Sequence, residues 1–110
     1  MAKLNKILEE ISKDQLGFNT NDTMGLSGPI HPGIIHGLRH PSKNGLSGWY
    51  VWQGDYKEDA DFFNPIHMSH VVQEHAVLEK YFMLPPGHRF LIDTTNGYED
   101  VWYDEKLLDI

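Results

Sequence analysis

Three polar side chains, His67, His70 and Glu74, are spaced as metal ligands on one helix face would be. At 100° per residue they fall within about 60° of arc, so a His/His/carboxylate site is geometrically allowed. The spacing lacks the two histidines four apart and the general-base glutamate of a H-E-x-x-H helix, and no fourth partner is recognisable. The competing reading is a solvated polar helix face, and that is the one adopted, with no metal expected. His36 and His40 flank Gly37-Leu38-Arg39 and share a strand face, but two histidines do not make a site. His75 falls in the middle of an apolar helix stripe, where a neutral, hydrogen-bonded core histidine is expected.

Nucleophilic chemistry finds less support. Ser27 and Ser47 each sit in Gly-Leu-Ser-Gly, at 25–28 and 45–48, which is not the G-x-S-x-G elbow. There are no cysteines, which removes thiolate metal sites, cysteine nucleophiles and disulfides together. No glycine-rich phosphate loop leads into a helix. A small hydrolase therefore ranks last, no catalytic residue is assigned, and no cofactor is called for.

Carboxylates are the more informative groups. Asp55, Glu58, Asp59 and Asp61 form one cluster, and Glu99, Asp100, Asp104 and Glu105 another, interleaved with Tyr56, Tyr98, Trp102 and Tyr103. Aromatics mixed with carboxylates suit a protein interface that meets a basic surface. Sixteen acidic against nine basic residues give a formal charge of −7, which disfavours nucleic acid and anionic membranes. Solvated loops and plain solubility would produce the same composition.

The elements that must position these groups follow from periodicity. A length of 110 residues is expected to form a single domain, 1–110. Leu4, Ile7, Leu8 and Ile11 mark an amphipathic N-terminal helix within 1–14. Residues 14–47 are rich in Gly, Asn, Ser and Pro. They include a strand at 33–39, and the two Gly-Leu-Ser-Gly segments read as turns entering extended chain. Gly48 to Gly54 is the clearest strand, with aromatics on both faces and therefore covered on both sides. Asp55 to Phe63 reads as an acidic loop.

Asn64 and Pro65 then read as the cap and first residue of a long helix over 65–83, ending before Pro85-Pro86-Gly87. Met68, Val71, Val72, Ala76, Leu78 and Phe82 share its apolar face. Strands over 88–93 and 98–103 flank Thr94-Thr95-Asn96-Gly97. A two-residue turn would pair Ile92 with Val101 and Phe90 with Tyr103, setting Asp93 against Asp100. A four-residue loop avoids that clash, and the sequence alone leaves both open. Asp104 to Leu108 closes the chain with a helical turn. The fold class is α+β: a small, mainly antiparallel sheet of 48–54, 88–93 and 98–103, with one long helix on a face and the N-terminal helix in addition. Trp49, Tyr50, Val51, Trp52, Val72, Leu78, Phe82, Phe90, Ile92 and Val101 should form the core. The start carries no apolar leader and no stretch is long enough to span a membrane, so the chain is expected to be cytoplasmic.

Ser47-Gly48-Trp49-Tyr50-Val51-Trp52-Gln53-Gly54-Asp55, followed by Asp61-Phe62-Phe63, resembles a family of small bacterial immunity proteins from polymorphic toxin systems. Gly37-Leu38-Arg39-His40-Pro41 is similar to that family's arginine-containing strand end, and Gly97 to Trp102 to its last strand. The resemblance covers about residues 29–108 and leaves the N-terminal helix outside. It implies an inhibitor that binds and blocks a co-encoded toxin without chemistry of its own, and an acidic inhibitor of a nuclease could mimic phosphates. The helix histidines are not part of that pattern, so a metal- or small-molecule-binding module remains the alternative.

Overall fold

A computed structural model describes residues 2–109; Met1, which opens the predicted N-terminal segment, lies outside them. Six strands form one mixed sheet: β1 Thr23–Leu26, β2 Ile34–Arg39, β3 Leu46–Trp52, β4 Asn64–His67, β5 His88–Asp93 and β6 Tyr98–Tyr103. Their order is β4-β1-β3-β2-β5-β6, so the aromatic strand β3 is interior, as its composition predicts. Every neighbouring pair is antiparallel except β1 with β3. That parallel contact sets Gly25 beside Tyr50 and Leu26 beside Val51. The first Gly-Leu-Ser-Gly segment thus begins inside a strand.

The second segment contains a position that only glycine suits. Gly48 has φ +91°, and a β-carbon there would lie 1.9 Å from the carbonyl oxygen of His40. His40 N–H in turn donates to the Gly48 carbonyl at 2.8 Å. Close backbone approach therefore joins the end of β2 to the start of β3.

The three α-helices, α1 Ala2–Glu10, α2 Met68–Glu74 and α3 Glu79–Phe82, lie on one side of the sheet. There Leu4, Met68, Val71, Leu78, Tyr81 and Phe82 pack with Ile35, Trp49, Val51, Phe90, Ile92 and Val101 in one buried cluster. Glu99, on the same side of β6, accepts hydrogen bonds from the Leu4 N–H at 2.9 Å and the Tyr81 hydroxyl at 2.5 Å. The N-terminal helix is thereby tied to the last strand, which its amphipathic pattern alone does not reveal.

The single helix expected over 65–83 is not formed. Asn64 and Pro65 belong to β4, an edge strand, where the missing proline N–H costs no ladder bond. The first helical amides are satisfied instead by the turn that leads into β1: Met68 N–H donates to Asp22 O and Ser69 N–H to Thr20 O. The helix then breaks at His75, whose φ −135° and ψ 69° lie outside the helical region. A 3-10 turn, Ala76–Leu78, leads into α3. On a straight helix Tyr81 would point about 140° away from Met68. The break turns it inward, where it is fully buried. His75 is consequently a half-buried terminating residue rather than the centre of an apolar face, and Ala76 is exposed.

The β5–β6 hairpin uses the four-residue loop. Asp93 faces Tyr98, Ile92 faces Glu99 and Phe90 faces Val101, so the Asp93–Asp100 opposition does not arise. Asp93 accepts from the Thr95 N–H and hydroxyl, and Gly97 N–H closes on the Asp93 carbonyl. Those Thr95 bonds also hold the exposed Asp93 carboxyl below its usual range.

Candidate interaction surface

Alternation along β3 sends Trp49 and Val51 under the helices and Tyr50 and Trp52 to the opposite side. On that helix-free side the chain supplies its own cover. Phe63 packs edge-on against Tyr50 at 5.0 Å between ring centroids and against Trp52 at 6.1 Å. Tyr56 meets Trp52 at 5.4 Å, Phe62 at 5.6 Å and Phe63 at 6.1 Å. Room for this bed comes from Gly25, where a β-carbon would stand 2.6 Å from the Tyr50 ring and 3.1 Å from Phe63 Cβ. Trp52 is buried as expected, 6% exposed, but in this aromatic bed and not under the helices; Tyr50, also expected in the core, is only half-buried.

The connection from β3 to β4 is therefore pinned from beneath. Its Asp55, Glu58, Asp59 and Asp61 are all exposed. A turn orders the far end: Asp61 N–H donates to the Asp59 carboxylate at 3.0 Å, and Phe62 N–H to the Asp59 carbonyl at 2.9 Å. Four carboxylates on a connection held by edge-to-face aromatic contacts lose little freedom on meeting a partner.

The second acidic cluster is arranged differently. Glu99 is committed to Leu4 and Tyr81, as described. Asp100 pairs with Lys3 on α1. Asp104 pairs with Arg89 at 3.3 Å and also caps the closing 3-10 turn, Glu105–Leu108, by accepting from Lys106 N–H. Glu105 is exposed. Most of this cluster's charge is met within the chain.

The histidine set is divided because α2 begins only at Met68, not at Pro65. His67 ends β4, whereas His70 and Glu74 lie on α2, and all three are exposed. The His67 and His70 rings meet edge-on at 5.8 Å. Among the described residues no three His, Asp or Glu side chains converge as a metal site would require. Ser47 is fully buried, donating to Thr23 O and accepting from Trp49 N–H, so its hydroxyl is structural.

Two residues have roles that spacing did not suggest. His36 stacks on Trp52, with centroids 5.2 Å apart and planes within 12°. Burial and the nearby Arg89 charge hold its pKa below the ordinary imidazole value. Arg39, only 5% exposed, spans the end of β2. Its guanidinium donates to the carbonyls of Ser47, Gly17 and Leu84 and to the Ser42 hydroxyl, and lies 5.8 Å from the Trp49 ring centre.

Comparison with protein families places this α+β domain in the class of immunity domains of polymorphic toxin systems. The chain belongs to the Imm33-like domain family, whose model matches residues 3–104. The match takes in α1, which the sequence resemblance left outside and which the Leu4–Glu99 bond fastens to β6. No curated protein and no solved structure matches the chain.

Proposed function

We propose that this chain is a cytoplasmic immunity protein that binds a co-encoded toxin and blocks it by contact, with no catalysis of its own. Family membership supports the class. The observation that carries the mode of action is the 55–61 connection, which displays four exposed carboxylates on an aromatic bed. Such a field attracts a basic surface and speeds encounter more than it deepens affinity. In this reading Asp55, Glu58, Asp59 and Asp61 are the first contacts, with Glu105 and the partly engaged Glu99, Asp100 and Asp104 as a second flank. No helix among the described residues is long and apolar enough to cross a membrane.

The test pairs this chain with the toxin domain encoded by the adjacent gene. Co-expression should rescue growth, and the purified proteins should form a complex. Glu58→Lys with Asp59→Lys adds four positive units to a chain of formal charge −7. Association should slow by about tenfold at low salt and lose most of its salt dependence, since screening acts over about 8 Å at physiological ionic strength. A well-folded double variant with an unchanged on-rate and salt slope would remove this connection from the interface. Failure of the wild type either to bind or to protect would refute the immunity reading.

A further inference from the structure

The helix-free face of the sheet continues well beyond the acidic connection. Strand register lays two rows of side chains across it. One runs Trp52, His36, Leu91, Asp100; the other runs Tyr50, Leu38, Arg89, Trp102. The rows hold two contacts on tryptophan rings, the flat His36–Trp52 stack and Arg89 at 5.8 Å from the Trp102 ring centre. The three α-helices all pack on the other side. Trp102 is 37% exposed in the edge strand, and Tyr56 is 52% exposed at the opposite margin. Tryptophan, tyrosine and arginine are the residue types that dominate binding energy where they are desolvated together.

Charge decides what this face meets. The unpaired carboxylates of 55–61 border it on one side and Asp93 ends β5 on the other, while Asp100 in β6 and Asp104 beyond it are paired with Lys3 and Arg89. Arg89, its central cation, is already paired with Asp104. His36 is held towards its neutral form. A second copy would set acid against acid, and a nucleic acid would be repelled likewise. A basic protein surface is complementary.

We infer that the helix-free face of the sheet is the docking surface for the basic face of the toxin, with Trp102, Arg89, Leu91 and His36, backed by the buried Trp52, at its centre and the 55–61 carboxylates as its rim. This rests on the immunity reading and adds to it. The acidic connection governs encounter, whereas the central rows govern how long the complex lasts.

The probe is the toxin domain encoded by the adjacent gene, with binding followed by surface plasmon resonance and fold by thermal melting. Trp102→Ala and Leu91→Ala should each weaken affinity by tenfold or more through faster dissociation. Val77→Ala, exposed on the helix side, should stay within twofold. Amide exchange on the wild-type complex gives a readout that needs no variant: protection should appear in 54–63 and 98–104 and be absent from 72–80. If the wild type binds but both face variants dissociate normally, or protection is confined to the helix side, the docking face is wrong while the immunity reading stands. If the wild type does not bind, both fall.

Discussion

Arg39 is the residue whose loss should damage the fold most for its size. Its guanidinium reaches three carbonyls from three separate segments: Ser47 on β3 at 3.1 Å, Gly17 after α1 at 3.0 Å, and Leu84 after α3 at 2.6 Å. Ser42 Oγ lies at 3.3 Å, and Trp49 covers one side of the plane. Among the described residues no carboxylate is in contact: burial pulls the pKa down, and Asp22 opposes it only from a distance. The charge is thus held by carbonyl dipoles, and the carbonyls are held by the charge. Arg39→Met keeps the apolar stem and removes every donor. Hydrogen bonds to charged groups contribute about 1.5–3 kcal/mol each, and an orphaned buried acceptor costs about 1–3 kcal/mol. The Leu84 and Ser47 carbonyls lie deepest, and water can reach the Gly17 side. Leaving two such acceptors unsatisfied gives an expected loss of about 2–6 kcal/mol, a large share of the roughly 5–15 kcal/mol that stabilises a domain. Arg39→Lys should lose about 2 kcal/mol, because an ammonium on a thinner stem reaches only part of the carbonyl set. Urea denaturation of the three proteins measures both differences. A loss below about 1 kcal/mol for Arg39→Met would show that the guanidinium is not what joins these segments, and would return Arg39 to consideration as a partner contact.

Gly48→Ala should cost at least about 3 kcal/mol or prevent folding, since positive φ and the His40 carbonyl both oppose a β-carbon; a melting curve checks it. Tyr81→Phe should destabilise by about 1–2 kcal/mol in urea, because Glu99 loses a buried partner while Leu4 N–H remains bound. Acid should weaken the fold through His36 and His88. Both are depressed chiefly by burial, so the unfolded chain takes up protons first as pH falls through about 6.5. Their contribution is complete above that pH and declines below it until the depressed folded values are reached. Stability measured from pH 7.5 to 5 should fall, and His36→Gln with His88→Gln should flatten the slope.

The parts of the fold legible in sequence were those with a local cause. Strand β3 was marked by its aromatic and β-branched run, β5 and β6 by their flanking turn, and β2 by Ile34, Ile35 and Leu38. Strand β1 was not separable from its glycine-rich surroundings, because its order comes from pairing between β3 and β4. The helix over 65–83 failed for the converse reason. Asn64-Pro65 satisfies the local rule for a helix start, but an edge-strand position accepts the same proline, and carbonyls from residues 20–22 do the capping. Tyr81, off the apolar stripe of a straight helix, was the sign that the helix could not be straight.

The surface shows the same division between local and distant causes. Carboxylate density at 55–61 can be read directly, and exposure follows because four charges have only Lys57 to offset them nearby in sequence. Whether such a connection is ordered cannot be read that way, since it depends on Tyr56, Phe62 and Phe63 finding Trp52 and Tyr50 across a glycine. The cluster at 99–105 looks equivalent in composition yet is largely spent on Lys3, Leu4, Tyr81 and Arg89, two of them at the opposite end of the chain. The two clusters therefore differ in what remains available to a partner. Carboxylates already paired must exchange one partner for another and gain little, whereas unpaired ones on a rigid bed enter the complex with their full charge. By this argument the 55–61 connection should set the electrostatics of docking, and the 99–105 cluster should chiefly hold β6, and with it Trp102, in place.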